Sequence, residues 1–281
     1  MPLVTTEKML SKAQQDGYAI GAFNVDNMEM VLAIAEAAEQ WRSPVIIQTA
    51  PSTLKYANMS MYMANVAAVA SQCHVPIALH LDHGDSFMLA MQAFRIGYTS
   101  IMVDGSSLPY EENIRLVQAT VDACAPSKIP VEAELGQVGR VGDVPAGQAP
   151  YTDPETAVDF CAKTGISSLA VAIGTAHGVY EGEPKLDLKR LAAIQKRVRI
   201  PLVLHGASGL SADAIHDCIH LGICKVNFAT ELRQAYTLAL RKALAADQAL
   251  YDPKKYGKAI RTAVKEQVVG RMEICGCIGK A

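Results

Sequence analysis

The segment 80–86, with the sequence HLDHGDS, places His80, Asp82 and His83 directly after an apolar run. A carboxylate can carry a proton during a reaction, and a neutral imidazole can bind a metal or exchange a proton. Polar residues recur after the later apolar runs of the chain, namely Asp104, Glu132, Glu134, His177, His205, Asn227 and Thr230. This recurrence indicates one chemical site rather than several unrelated strand ends.

Three of the seven histidines, His83, His177 and His205, follow separate apolar runs. Three neutral imidazoles are a common catalytic zinc set that leaves one coordination position open for a substrate. In a competing cluster of His216, Cys218 and His220, the two histidines have the i,i+4 spacing that can bind a metal on a helix. No second pair of donors lies near it in the sequence. We therefore interpret that pair as a solvated helix face and predict the metal at the first three histidines.

The elements that must position these residues alternate between short β-rich runs and segments with helical spacing such as 28–41 and 112–124. We predict eight strands, at 18–24, 44–49, 76–82, 100–105, 130–136, 168–174, 201–207 and 224–230. Nearly continuous apolar strands that alternate with helices are typical of parallel strands buried on both faces. Eight such units in about 250 residues predict an α/β fold, a (β/α)8 TIM barrel. We expect one such domain over 1–281, with a C-terminal helical extension.

In a barrel of this kind the chemistry lies at the carboxyl ends of the strands, so strands three to eight would bring their polar residues to one rim. The loops HGASG at 205–209 and ATEL at 229–232 follow strands seven and eight, the usual place of a phosphate site in such barrels. Ordinary turn chemistry is the alternative explanation for their small residues. We predict phosphate contacts from Gly178, Gly206, Ala207, Ser208 and Thr230.

The residue types also bear on the reaction. A Schiff-base enzyme needs a desolvated lysine at its site, but Lys225 is the one lysine in the predicted strands and stands at the start of strand eight. A zinc ion could instead polarise a carbonyl group as a Lewis acid. Zinc, a free carboxylate and a phosphate site together describe an enzyme that makes or breaks a bond next to a ketone.

The overall composition argues against several classes of protein. The net charge is −2, with 26 basic and 28 acidic residues well mixed, which does not suggest a partner among nucleic acids or anionic membranes. The longest apolar stretches are too short to cross a bilayer, and no secretory signal is visible. Seven scattered cysteines, an odd number, are typical of reduced thiols, so we expect a cytoplasmic protein.

Five ordered motifs, HLDHG, VEAELGQVG, SLAVAIGTAHGVY, PLVLHGASG and KVNFATEL, resemble those of the class II, zinc-dependent ketose-bisphosphate aldolases. The resemblance is strongest to the tagatose-1,6-bisphosphate aldolase branch and covers nearly the whole chain. It implies reversible aldol cleavage of a ketose 1,6-bisphosphate or 1-phosphate to dihydroxyacetone phosphate and an aldehyde. It also implies Zn2+, a monovalent cation (Na+ or K+), and a homodimer or homotetramer.

The resemblance assigns individual roles. His83, His177 and His205 would bind zinc, with Asp104 and Glu134 near an alternative metal position. Asp82 would remove the proton of the C4 hydroxyl during cleavage and return it during condensation, and Asn227 would hold the enediolate. The dihydroxyacetone-phosphate half would lie against Gly178, Gly206, Ala207, Ser208, Asn227, Phe228, Ala229 and Thr230.

Three departures from the family pattern affect the substrate. The loop GRVGDVPAG lacks the usual Glu, so Asp143 is the candidate for the residue that exchanges a proton with dihydroxyacetone phosphate. Lys254 stands where the family often has an Arg that grips the distal phosphate from a neighbouring subunit, and a lysine lacks the bidentate fork. The loop 50–56 also differs; Ser52 and Lys55 could contact an anion there, but we favour the interpretation that they are exposed loop residues.

Two other functions remain open from the sequence. The changed loop after strand five would suit a non-catalytic sugar-phosphate-binding subunit or sensor. Zinc-assisted hydrolysis would explain the metal but would leave the phosphate loops without a role. The configuration of the sugar at C4 depends on side-chain placement and is likewise open.

Overall fold

The computed structural model describes residues 3–142, 150–182 and 184–281. Eight parallel strands form a closed barrel in chain order, because β1 pairs with both β2 and β8. This confirms the predicted (β/α)8 barrel. The strands are β1 (Ile20–Asn24), β2 (Val45–Thr49), β3 (Ile77–Gly84), β4 (Ser100–Val103), β5 (Val131–Leu135), β6 (Ser168–Val171), β7 (Leu202–Leu204) and β8 (Ile223–Phe228).

Helices cover the outside of the barrel, and the last two extend the chain past the eighth strand. The final helix packs against both its predecessor and the second helix. No described helix is long and apolar enough to cross a membrane. The helices are α1 (Thr6–Asp16), α2 (Met28–Trp41), α3 (Pro51–Tyr56), α4 (Met59–Ala70), α5 (Phe87–Ile96), α6 (Tyr110–Cys124, followed by a 3-10 turn at Ala125–Ser127), α7 (Pro154–Thr164), α8 (Leu188–Gln195), α9 (Ala212–His220), α10 (Thr230–Ala246) and α11 (Pro253–Cys275).

The strands differ from the predicted runs mainly at their carboxyl ends. β4, β6 and β7 stop at Val103, Val171 and Leu204, two or three residues before the predicted ends. The chain leaves the sheet there and forms the loops that carry Asp104, His177 and His205. The predicted runs thus combined strand residues with residues of the rim.

β3 ends differently, in a bulge. Its pairing with β4 shifts register between Leu81 and Gly84, and His83 adopts a left-handed conformation with a φ of 49°. Consecutive side chains of a regular strand point to opposite faces, so Asp82 and His83 could not both enter the same cavity without such an irregularity. Gly84 permits the bulge, because a Cβ there would lie 2.6 Å from the carbonyl oxygen of Met102.

Candidate active site

Three imidazoles meet at the rim of the barrel. His83 belongs to β3, whereas His177 and His205 lie in the loops after β6 and β7. His83 Nε2 is 3.2 Å from His177 Nε2 and 2.8 Å from His205 Nδ1. Nitrogen ligands of a tetrahedral zinc ion, each about 2.0–2.1 Å from the metal, lie about 3.3–3.4 Å apart. The His83–His177 distance is close to this spacing and the His83–His205 distance is shorter, and ligand atoms of the three rings all lie within 4.8 Å of one another.

Each ring also meets a hydrogen-bond acceptor outside the group of three. His83 Nδ1 is 2.7 Å from Asp104 Oδ2, and His205 Nε2 is 3.0 Å from Glu132 Oε1. The His177 ring meets the backbone carbonyl of Gly139. Acceptors of this kind fix the orientation of a metal-binding histidine and decide which nitrogen carries the proton.

The protonation states of the three rings differ. Burial lowers the pKa of His177 to about 4 and that of His205 well below its usual value, so both rings are neutral at neutral pH. Burial also opposes a charge on His83, but the carboxylates of Asp82 and Asp104 outweigh it and raise the pKa of His83 to about 10. A metal that binds this site must therefore displace a proton from His83.

A second group of donors shares His83. Ligand atoms of His83, Asp104 and Glu134 all lie within 4.8 Å of one another. Glu134 Oε1 accepts a hydrogen bond of 2.8 Å from the backbone N–H of Val138, whereas Oε2 is buried without a hydrogen-bond partner among the described residues. Burial, reinforced by the charge of Asp104, raises the pKa of Glu134 to about 8. His83 thus belongs to two possible metal-binding sets, one with His177 and His205 and one with Asp104 and Glu134.

Asp82 lies beside the imidazoles without joining them. Its carboxylate accepts hydrogen bonds from Asn24 Nδ2 at 2.8 Å and from Asn227 Nδ2 at 3.0 Å, and its Oδ1 is 3.9 Å from His83 Nε2. Burial would raise the pKa of Asp82, but the neighbouring His83, His205 and Lys225 outweigh burial and lower it. The carboxylate is therefore ionised at neutral pH and able to accept a proton.

A cavity of about 690 Å³ opens next to these groups. Two of the predicted phosphate-site residues, Ala207 and Phe228, are fully buried behind the cavity wall, and Phe228 stacks on Phe23 with ring centroids 5.6 Å apart. The predicted residues that line the cavity are Ser52, Lys55, Asp82, His83, His177, Gly178, Gly206, Ser208, Asn227, Ala229 and Thr230.

The two loops predicted to bind phosphate contact each other directly. Ser208 Oγ accepts hydrogen bonds from the backbone N–H groups of Ala229 and Thr230, at 3.2 and 3.3 Å, where α10 begins. Gly206 has a φ of 65°, and a Cβ on it would lie 2.6 Å from the carbonyl oxygen of Ala176. The loops after β6, β7 and β8 thus pack together beside the cavity at the start of α10, and a helix start is where an anion binds favourably.

The remaining predicted residues lie elsewhere. Lys254 lines a separate groove of about 980 Å³ between α2 and α11, and its ammonium is 2.8 Å from Asp252. His216 and His220 are exposed on α9, as expected for a solvated helix face. Asp143 lies outside the described residues.

Comparison with known protein families identifies the family of this chain. The family model for class-II fructose-bisphosphate aldolase matches residues 4–280. The chain belongs to this family. The predicted aldolase family is therefore confirmed, whereas the tagatose-1,6-bisphosphate branch stays a prediction.

Solved structures of aldolases resemble this class-II family member over nearly its whole length. The YdjI aldolase from Escherichia coli K12 is 36% identical, with a TM-score of 0.89 and 99% of each chain covered. A putative fructose-1,6-bisphosphate aldolase from Coccidioides immitis is 33% identical, with a TM-score of 0.88 and 97% of this chain and 96% of the other covered. A fructose-bisphosphate aldolase from Campylobacter jejuni, 24% identical with a TM-score of 0.86 over 100% and 97% of the two chains, shares the fold.

Sequence reasoning did not identify Asn24, nor the contacts that Glu132 and Lys225 make beneath this aldolase site. Asn24 holds Asp82, and Glu132 contacts both His205 and the buried Lys225. Alternation along a strand gives a partial signal, since Lys225 and Asn227 share one face of β8 and Glu132 shares its face of β5 with Glu134. That signal places a side chain inside the barrel but does not give its partners.

Proposed function

We propose that the protein catalyses the zinc-dependent, reversible aldol cleavage of a ketose 1,6-bisphosphate, of the tagatose or fructose type, or of a related ketose 1-phosphate. The products of cleavage are dihydroxyacetone phosphate and an aldehyde. One observation carries the proposal: an ionised carboxylate, Asp82, lies 3.9 Å from one of three converging imidazoles in a cavity that also meets two phosphate-type loops.

The metal would be held by His83, His177 and His205, and when bound it would polarise the substrate carbonyl and spread the charge of the enediolate. Asp82 accepts the proton of the C4 hydroxyl as the C3–C4 bond breaks, and returns it during condensation. Asn24 and Asn227 hold the carboxylate in position for this transfer.

Asn227 has a second task in this proposal. Its amide nitrogen is bonded to Asp82, and its Oδ1 is buried without a hydrogen-bond partner among the described residues. Asn227 also lines the cavity, so its amide can reach a hydroxyl or an enediolate oxygen of the bound substrate. A buried amide group without a partner is costly, and a substrate that supplies one gains affinity.

The phosphate of the dihydroxyacetone half would bind near Gly178, Ser208 and Thr230, where backbone N–H groups and hydroxyls line the cavity. Lys55 and Arg140 also line it and supply cationic partners for a second anionic group on the aldehyde half. Lys254, which lies in a separate groove, could reach a site only in a neighbouring subunit, so the proposal includes a homodimer or homotetramer.

The proposal is tested by following dihydroxyacetone phosphate release from tagatose and fructose 1,6-bisphosphates and their 1-phosphates with a coupled NADH-dependent dehydrogenase. We expect dialysis against EDTA to abolish turnover and added Zn2+ to restore it. Borohydride should trap no substrate imine, because Lys225 is fully buried and does not line the cavity, whereas Lys55, which lines it, is exposed and lacks the desolvation that activates a Schiff-base lysine. Full turnover after metal removal, or a trapped imine, would contradict the proposal.

A chain that binds these sugar phosphates and zinc but releases no dihydroxyacetone phosphate would instead be a binding subunit or sensor. If the enzyme is active, dihydroxyacetone phosphate can be condensed with a series of aldehydes. The configuration of the products assigns the stereochemistry at C4.

A further inference from the structure

A chain of buried polar residues runs through the barrel beneath the imidazoles. Lys225 Nζ is 2.9 and 3.1 Å from the two oxygens of Glu132, and it is 3.4 Å from His80 Nε2. His80 Nδ1 in turn is 2.8 Å from the hydroxyl of Ser100, which accepts a hydrogen bond from Thr6. Each of these side chains is at most 3% exposed.

Glu132 is the member of this chain that touches the metal-binding group. Its Oε1 is 3.0 Å from His205 Nε2, on the edge of the ring opposite to Nδ1, which points to His83 at 2.8 Å. The amide nitrogen of Asn227 is 3.3 Å from the same Nε2, but the closer carboxylate can only accept, so it favours the tautomer of His205 that carries its proton on Nε2. Nδ1 is then left with a free lone pair that faces the other two rings.

Stability alone gives a poor explanation for this ion pair. Replacing a fully buried pair by apolar side chains of similar volume is often neutral or stabilising, because desolvation of the two charges offsets their attraction. Its in-register neighbours carry no charge, since Glu132 pairs with Met102 on β4 and with Ser168 on β6. A glutamate among them is better explained by its contact with His205.

We propose that Glu132, held in place by Lys225, is a positioning residue of the metal centre that fixes His205 in the tautomer whose Nδ1 binds the metal. This inference rests on the proposed metal-dependent function. Asp104 has the corresponding contact with His83, at 2.7 Å from Nδ1, so two of the three rings are each oriented by a carboxylate. Loss of such a contact usually lowers metal affinity about 10–100-fold.

The test compares two double variants that both remove the ion pair. In Glu132→Gln/Lys225→Met, the amide oxygen can still accept from His205. Its NH2 group would take the place of Glu132 Oε2, which is 3.9 Å from His80 Nε2, and could donate to that nitrogen. In Glu132→Leu/Lys225→Met, the acceptor of residue 132 is lost, and the polar group that remains beside His205 Nε2 is the Asn227 amide, whose nitrogen lies 3.3 Å away. Zinc affinity is measured by competition with a chelator, and the stability of the metal-free proteins by urea unfolding.

We expect the Gln variant to bind zinc nearly as tightly as the natural chain and the Leu variant to bind it about 10–100-fold more weakly. The unfolding data separate this loss from a general loss of stability, because a purely structural role would lower the stability of both metal-free variants without separating their zinc affinities. Equal zinc affinity of the two variants would overturn the positioning role of Glu132. Failure of the natural chain to bind zinc would instead contradict the proposed function.

Discussion

Replacing Asp82 by asparagine isolates its role as a proton acceptor. The carboxylate is only 4% exposed and accepts hydrogen bonds from two amide nitrogens, those of Asn24 and Asn227. An alanine would leave both buried donors without a partner, at about 1–3 kcal/mol each. In Asp82→Asn, the new amide oxygen keeps one of these bonds, and Asn227 can turn its unpartnered Oδ1 toward the new NH2 group. The fold and the metal set should therefore survive.

The expected loss follows from the chemistry of a positioned base. Proton transfer by a side chain contributes about 100–10,000-fold to a rate. At about 1.4 kcal/mol for each factor of ten, the barrier should rise by about 3–5 kcal/mol. Zinc content should remain that of the natural chain, because Asp82 lies outside the set of His83, His177 and His205.

The assay is the release of dihydroxyacetone phosphate, measured together with zinc content by atomic absorption. Exchange of a dihydroxyacetone-phosphate proton with D2O, followed by NMR, should continue, because a different group removes that proton in the proposed reaction. Unchanged cleavage in Asp82→Asn would remove this residue from the mechanism. Loss of zinc together with activity would show that Asp82 supports the metal instead.

Three further results are expected. Gly84→Ala should lower zinc affinity and activity together, since its Cβ would lie 2.6 Å from the Met102 carbonyl oxygen and distort the bulge that presents His83; a normal zinc titration would refute this. Zinc binding at pH 7–8 should release about one proton from His83, because the pKa of the metal-free His83 is raised to about 10. The number of protons released should fall as the pH passes about 10, where His83 has already lost its proton. Calorimetry in buffers of different ionisation enthalpy measures this number. His216→Ala and His220→Ala should leave zinc content and turnover unchanged in the same assays, because both rings are exposed on α9.

The sequence predicted the barrel well because the patterns that indicate strands and helices lie within short segments of the chain. Apolar runs and helical spacing placed all eight strands, and α2 spans Met28–Trp41 as predicted. The rule that chemistry lies at the carboxyl ends of the strands then brought His83, His177 and His205 together correctly.

The side-chain contacts inside the barrel were harder to predict from the sequence. The bulge at His83 has no decisive local signal, because only a few per cent of non-glycine residues have a positive φ, even though histidine is enriched among them. The contact between Lys225 and Glu132 depends on the stagger between strands, which sets the depth at which each side chain lies. Stagger is a property of the closed sheet, so no single segment of sequence contains it.

The metal-binding histidines are far apart along the chain: His177 and His205 follow His83 by 94 and 122 residues. A nascent chain that has emerged only through β4 contains one of the three ligands, and the complete set exists only after β7 has joined the sheet. Tight zinc binding should consequently appear only late in folding. A zinc-sensitive dye present during refolding would therefore measure the rate at which the last strands close the barrel.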